Sequence, residues 1–315
     1  MNVLIVGASG NLGSHLARHL LNCSYRLRLL VHKKSLPPDL AADPTVSIVQ
    51  GDLDSPASLL SPTRDIDCIV YLAGVLFRPR PEKFLHRTNT VYVQNIVKAA
   101  LVNGVRKFIL VSFPHVEGET TPDSRAMGKL DGHPASIHAR TRLEAEKYLF
   151  SACEGNHTKP LVLRAGVIYG RGVKLTEAAR MLMRFGLLAI WNKPTWVHLL
   201  SLPDFLRIVE VTIERDNLSG IYNLSDDQPI MLQGFLDEMA RHWGYRKPWR
   251  VPVFCVQLAA TLCETFAMIF HTRTPLTRDI VKMAMTSVVA DSTRMRQEIL
   301  PELSYPTFKK GLSII

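Results

Sequence analysis

The chain has 315 residues, 47% hydrophobic and 21% charged, a balance that belongs to folded domains and excludes disordered or fibrous sequences. Its formal net charge of +10 comes from dispersed Lys and Arg with no nucleic-acid motif, so nucleic acid is not expected as a partner; anionic cofactors, acidic substrates, an anionic membrane surface or plain solvation account for it as well. Five scattered cysteines (Cys23, Cys68, Cys153, Cys255 and Cys263) form no Cys-x-x-Cys pair, so neither a disulfide framework nor a metal site is expected.

In chain order, residues 2–6 (NVLIV) are a β-branched run of the kind found in strands buried on both faces. GASGNLG follows, then SHLARHLLN with apolar residues at helical spacing. Further strands are predicted at Leu27–Val31, Val46–Gln50, Cys68–Ala73, Phe108–Ser112 and Leu161–Arg164, with helices at Thr88–Val102 and Thr141–Cys153. This alternation predicts an α/β fold: a doubly wound parallel sheet (Rossmann) with helices on both faces. Past Gly170, residues 174–190 read as a helix, Gly220–Leu224 as a strand, and the last third as mostly helical. The division expected is a Rossmann dinucleotide-binding domain over 1–170, rejoined by segments near 195–225, and a smaller, discontinuous substrate lobe over 171–315. No Ser/Gly-rich linker separates them, so they should pack together.

Gly7, Gly10 and Gly13 lie between the first strand and the first helix. A pyrophosphate needs glycine there for a tight turn, close backbone approach and helix–strand packing, and the helix N-terminus supplies free N–H groups. Ser9, Asn11 and Leu12 belong to the same loop. At the end of the second strand, where an NAD site presents an acid to the ribose, the chain reads LLVHKKS. His32, Lys33 and Lys34 suit the 2′-phosphate of NADP, with NAD as the alternative and solvent-facing lysines as the plain reading.

These motifs, in this order, resemble the short-chain dehydrogenase/reductase superfamily, specifically its extended branch of epimerases, dehydratases and hydroxysteroid-dehydrogenase-like reductases. The resemblance covers nearly the whole chain. GASGNLG is similar to the family's cofactor loop, and GDL at 51–53 to the turn whose Asp, here Asp52 beside Leu53, contacts adenine. YLAG at 71–74 resembles the segment whose small residues, here Ala73 and Gly74, lie against the cofactor. FILVSFPHVEG resembles the catalytic-serine strand and loop, LRAGVIYGRG the entry to the substrate lobe, and GIYNLSDDQPI a late strand. VPVFCVQLAATLCETFAMIF followed by TPLTRDIVKM resembles a segment of hydroxysteroid-dehydrogenase-like members and hints at an apolar substrate.

The resemblance implies a tyrosine acid/base, a lysine one helical turn later and a serine that polarises the substrate oxygen. In SIHARTRLEAEKYL the tyrosine and lysine positions hold His138 and Arg142, and Phe113 takes the serine's place with Ser112 one residue early. Two readings stay open. Either His138, Arg142 and Ser112 perform altered oxidoreductase or epimerase-like chemistry on a hydroxyl or carbonyl, with His115 and His133 near and Arg142 also anchoring the cofactor; or the fold is a non-catalytic NADP(H)-sensing regulator or structural subunit. The plain readings are an exposed His138, an Arg142 paired with Glu146, and a Phe113 in the core. Arg180, Trp191 and Trp196 are placed in the substrate lobe by position alone.

Residues 251–270 carry one charge, Glu264, and are apolar all round. Pro252 and Glu264 argue against a membrane span, and a buried helix is the favoured reading, ahead of a subunit interface or a helix lying on a membrane. The N-terminus lacks the basic start of a signal peptide. A cytoplasmic location, with membrane association through 251–270 and homo-oligomerisation as alternatives, follows from these readings.

Overall fold

The computed structural model describes residues 1–23, 25–75, 78–274 and 276–315. Pro275, within the TPLTRDIVKM segment, lies outside the described residues. The first half alternates strand and helix: β1 (Asn2–Val6), α1 (Asn11–Leu21), β2 (Arg26–Val31), the short α2 (Pro38–Ala41) and β3 (Val46–Gln50). Then come α3 (Leu60–Thr63), β4 (Cys68–Tyr71), α4 (Tyr92–Val102), β5 (Lys107–Ser112), α5 (Ile137–Cys153) and β6 (Lys159–Ala165). The second half begins with β7 (Val167–Tyr169), α6 (Lys174–Arg184), β8 (Ala189–Trp191), β9 (Trp196–Val197), β10 (Leu199–Ser201) and α7 (Leu202–Glu214). It closes with β11 (Gly220–Leu224), β12 (Ile230–Met231), α8 (Leu232–His242), β13 (Trp249–Val251), α9 (Val253–Ile269), α10 (Arg278–Ala284) and α11 (Thr293–Glu298).

Seven strands form one parallel sheet in the order β11-β6-β5-β4-β1-β2-β3. Strand direction of growth reverses between β1 and β4, which opens the crevice where open α/β sheets bind ligands. Alternate residues of each strand serve opposite faces. Val3 and Ile5 pack with α1 and α7 through Leu16, Leu20, Phe205 and Ile208, whereas Leu4 and Val6 pack with α4 and α5 through Ile96 and Leu149. Both faces being covered explains why the strands read as continuous apolar runs. A separate cluster of Tyr169, Met183, Leu199, Phe235, Met239 and Phe308 fills the second half.

Three expectations are corrected. The helix predicted over 174–190 ends at Arg184, because Gly186 adopts φ +66° and Leu187 N–H closes back on the Leu182 carbonyl, freeing Ala189–Trp191 to form β8. The helix predicted over Thr88–Val102 opens with a widened π turn, His86–Val91, before α4. Most consequentially, α9 is not a buried helix. Phe254, Leu258, Leu262, Phe266 and Ile269 are 56–65% exposed, and only the stripe Ala260, Glu264 and Ala267 is buried. The favoured burial was read from composition, but three small or paired residues at helical spacing suffice to seat the helix. Among the described residues no helix is long and apolar enough to cross a membrane.

Candidate active site

The crevice is built first from glycine. Gly7 leaves β1 at φ +102°, and a Cβ there would stand 2.7 Å from the Ala73 nitrogen, so the loop sits flush against the exit of β4. A Cβ on Gly13 would strike the Gly7 carbonyl, and Gly10 N–H donates to that same carbonyl at 2.8 Å. No side chain caps α1 and no acid stands in its first turn, so its N–H groups and positive dipole end face the crevice. This cradle fits a pyrophosphate. Ser9, Gly10 and Leu12 are half-buried along it. The Asn11 side chain is used otherwise: it donates to the Gly172 carbonyl at 2.8 Å and accepts from Lys174 N–H at 2.9 Å, tying the loop before α6 to the start of α1.

At the ends of β2 and β3, His32 Nε2 lies 3.4 Å from Asp52 Oδ2, so two predicted cofactor residues pair with each other. Leu53 packs half-buried beside them, its carbonyl taken by Asn95. Lys33 and Lys34 are exposed. Partial burial, then the charges of Lys174 and Arg273, lower the Lys34 pKa. Among the described residues none of these three cations forms an ion pair. A lysine that feels two further cations and forms no ion pair suits an anion. Lys174 and Arg273 carry no local signal in the sequence; tertiary folding alone brings them to Lys34.

On α5, Ser136 caps the helix by accepting from Ala139 N–H, and His138 is 4% exposed, which overturns its reading as a surface residue. Asp279, at the start of α10, holds it. One carboxylate oxygen accepts from Ile137 N–H at 2.8 Å, and the other lies 2.7 Å from His138 Nδ1 and 3.2 Å from His138 N. Burial alone would raise the Asp279 pKa, but these bonds hold it below the usual carboxylate value. A carboxylate on Nδ1 fixes the proton there and leaves Nε2 buried with no partner among the described residues. Arg142, one turn on, is 6% exposed; its Nη2 donates to the Ala73 carbonyl at 3.4 Å, while Nε and Nη1 have no partner among the described residues. A Cβ on Gly74 would lie 3.6 Å from its guanidinium. Burial lowers the Arg142 pKa, with Tyr71 and Glu146 acting the other way. Thr88 Oγ1, on the π turn that packs against α5, is also buried and without a partner among the described residues.

Ser112 goes elsewhere. Its hydroxyl donates to Glu146 Oε1 at 2.5 Å, inside a buried network where Arg164 binds Glu146 and Glu117. The structure does not turn Ser112 toward Nε2 of His138, and Glu146, paired with Arg164, is not an ion-pair partner of Arg142. Phe113 is half-buried and meets the His115 ring edge-on at 5.9 Å, so no donor stands at its position. His115 and His133 line a small cavity of about 150 Å³ with Ser136, Met283 and Thr286, and burial lowers His115 to about 4. Arg180 stacks on Trp243, and Trp191 donates to Thr195; Trp196 N–H donates to Ser287. None of the three bonds to His138 or Arg142 among the described residues.

The family model for the NAD dependent epimerase/dehydratase family matches residues 3–191. The UDP-glucose 4-epimerase of Vibrio cholerae is 24% identical over 278 residues, covering 83% of this chain and 82% of that protein. The 2-alkyl-3-oxoalkanoate reductase of Stenotrophomonas maltophilia is 22% identical over 280 residues, covering 82% and 83%. The structure of a UDP-glucuronic acid 4-epimerase from Bacillus cereus in complex with NAD superposes with a TM-score of 0.77 at 16% identity, over 100% of this chain and 97% of that one.

Proposed function

Because the chain belongs to the NAD dependent epimerase/dehydratase family, we propose that it is a nicotinamide-dinucleotide-dependent oxidoreductase acting on a hydroxyl or carbonyl of a small or apolar substrate, with His138 as its acid/base. Gly7, Gly10, Gly13 and the α1 N-terminus would hold the pyrophosphate, Ala73 and Gly74 the adjoining wall, and Arg142 ribose oxygens. When bound, the dinucleotide supplies or accepts a hydride. Lys34 favours NADP over NAD, since an added phosphate would offset the charges of Lys174 and Arg273 that act on it.

The observation that carries the reading is the buried His138–Asp279 pair, whose Nε2 has no partner among the described residues. Asp279 keeps the proton on Nδ1, so Nε2 takes the proton of a substrate hydroxyl in oxidation. In reduction the imidazolium returns it to the developing alkoxide, its charge balanced by Asp279. Arg142 stands where the family has a cation. Its Nε and Nη1 have no partner among the described residues, so a ligand oxygen meets them without breaking the bond that Nη2 makes to the Ala73 carbonyl. A reductase of 3-oxoalkanoates and sugar epimerases among the relatives set the substrate classes to screen.

A second reading, a non-catalytic NADP(H)-binding regulator, is favoured by Phe113 at the serine position and by Ser112 committed to Glu146. The test is consumption of NADPH with 3-oxoacyl and nucleotide-sugar substrates by the native chain and by His138→Ala. The enzyme reading expects His138→Ala to cut turnover roughly 10²–10⁴-fold with cofactor affinity unchanged. Cofactor binding without turnover on any substrate favours the regulator.

A further inference from the structure

We infer that α9 and the turn preceding β8 form a docking surface for an anionic lipid bilayer. Phe254, Leu258, Leu262, Phe266 and Ile269 project from one side of α9, and the polar residues among them are uncharged: Gln257, Thr261 and Thr265. Glu264, the helix's single charge, is turned inward, accepting from Arg278 Nε at 3.0 Å and from Arg80 N–H at 3.2 Å. The exposed apolar surface continues past the helix start. Phe185, Leu187 and Trp249 are each 64–68% exposed, and Trp249 Nε1 donates to the Gly186 carbonyl, which joins that turn to β13 and through Pro252 to α9. Between Leu262, Phe266 and Thr272–Thr274 lies an open groove of about 480 Å³, large enough to take part of an acyl chain.

The charges choose the occupant. Arg184, Arg246 and Lys247 are exposed beside Phe185, Leu187 and Trp249, and none forms an ion pair among the described residues. Between residues 241 and 273 the sequence holds no acid besides the inward Glu264. A second copy is a poor fit, because a two-fold interface offers the patch only its own composition, in which Asp237 and Glu238 are already paired with Arg250 and Arg241 and no acid is in excess for Arg184, Arg246 and Lys247. An anionic bilayer is complementary at both levels: its headgroups meet the cations and its upper acyl region takes the aromatic and aliphatic side chains. With no helix among the described residues long enough to cross a membrane, the body of the protein stays on one side and α9 lies in the interface. This surface does not depend on the cofactor reading.

Vesicle co-sedimentation tests it, using the full chain with phosphatidylcholine vesicles with and without phosphatidylglycerol. The protein is expected to sediment with the anionic vesicles alone and to be released at high salt. Arg246→Glu with Lys247→Glu should weaken binding by roughly fivefold or more per site, and Leu258→Glu with Leu262→Glu should abolish it, with NADPH titration checking that each variant is folded if the native chain binds NADPH and circular dichroism if it does not. Equal binding to neutral vesicles overturns the anionic commitment. No binding to either vesicle overturns the proposal, as does a dimer in light scattering that Leu258→Glu with Leu262→Glu converts to monomer.

Discussion

Two buried charged clusters share helix α5, one turn apart, and they are finished differently. Around Glu146 the bonding is complete: Arg164, fully buried, reaches Glu146, Glu117 and the Lys129 carbonyl, and Ser112 adds its hydroxyl. Around His138 and Arg142 it is not. Asp279 satisfies one side of the imidazole, yet Nε2 and two guanidinium nitrogens are buried without partners among the described residues. Leaving such groups unpaired costs about 1–3 kcal/mol each, and native folds rarely carry several together without a use. The satisfied cluster joins β5, β6 and α5; the unsatisfied one is where a ligand belongs.

Breaking the satisfied cluster should have the largest effect. Arg164→Ala leaves Glu146 and Glu117 buried without their cation and is expected to lose about 3–5 kcal/mol, read as a lower midpoint in urea. A result under about 1 kcal/mol would mean the network is not the structural element the contrast requires.

A smaller effect sharpens the contrast through pH. Asp279 is held below its ordinary value by its bonds, so its contribution is present above that value and is lost as pH falls through the lowered pKa. Asp279→Asn should therefore be less stable than the native chain at neutral pH and converge with it in acid. Asp226 has the opposite sign: burial pushes it from 3.8 up to about 8. The native chain then loses stability as pH rises across that window, because the unfolded chain ionises first. Asp226→Asn should be the more stable protein above about pH 8, and indistinguishable in acid. Thermal unfolding across pH reads both; parallel curves for either variant would remove that group from the account.

Much of the scaffold was legible because its signals are local. A strand buried on both faces must be a β-branched run, as NVLIV is, and only glycine fits where Gly7 meets Ala73. The helix expected from Thr141 begins at Ile137, and it was the family resemblance rather than a local signal that set His138 and Arg142 on one helix. What escaped the sequence is tertiary. Asp279 reaches His138 from a helix far along the chain, and Lys174, at the start of α6, and Arg273, between α9 and α10, act on Lys34 from distant parts of the sequence. Ser112 looked like a displaced serine until Arg164 and Glu146 claimed it. The exposure of α9 could not be read from its composition, since an apolar helix looks alike in a core and on a surface.

The most direct test of the central claim, that the unpaired groups around Arg142 complete a dinucleotide site, is a fluorescence titration with NADPH and with NADH, on the native chain and on Arg142→Leu. The account expects NADPH to bind more tightly than NADH, and Arg142→Leu to weaken NADPH by roughly 10–100-fold, the loss of charge-assisted hydrogen bonds, with its urea midpoint not lowered. Binding of neither dinucleotide, or a variant that binds as well as the native chain, would contradict it.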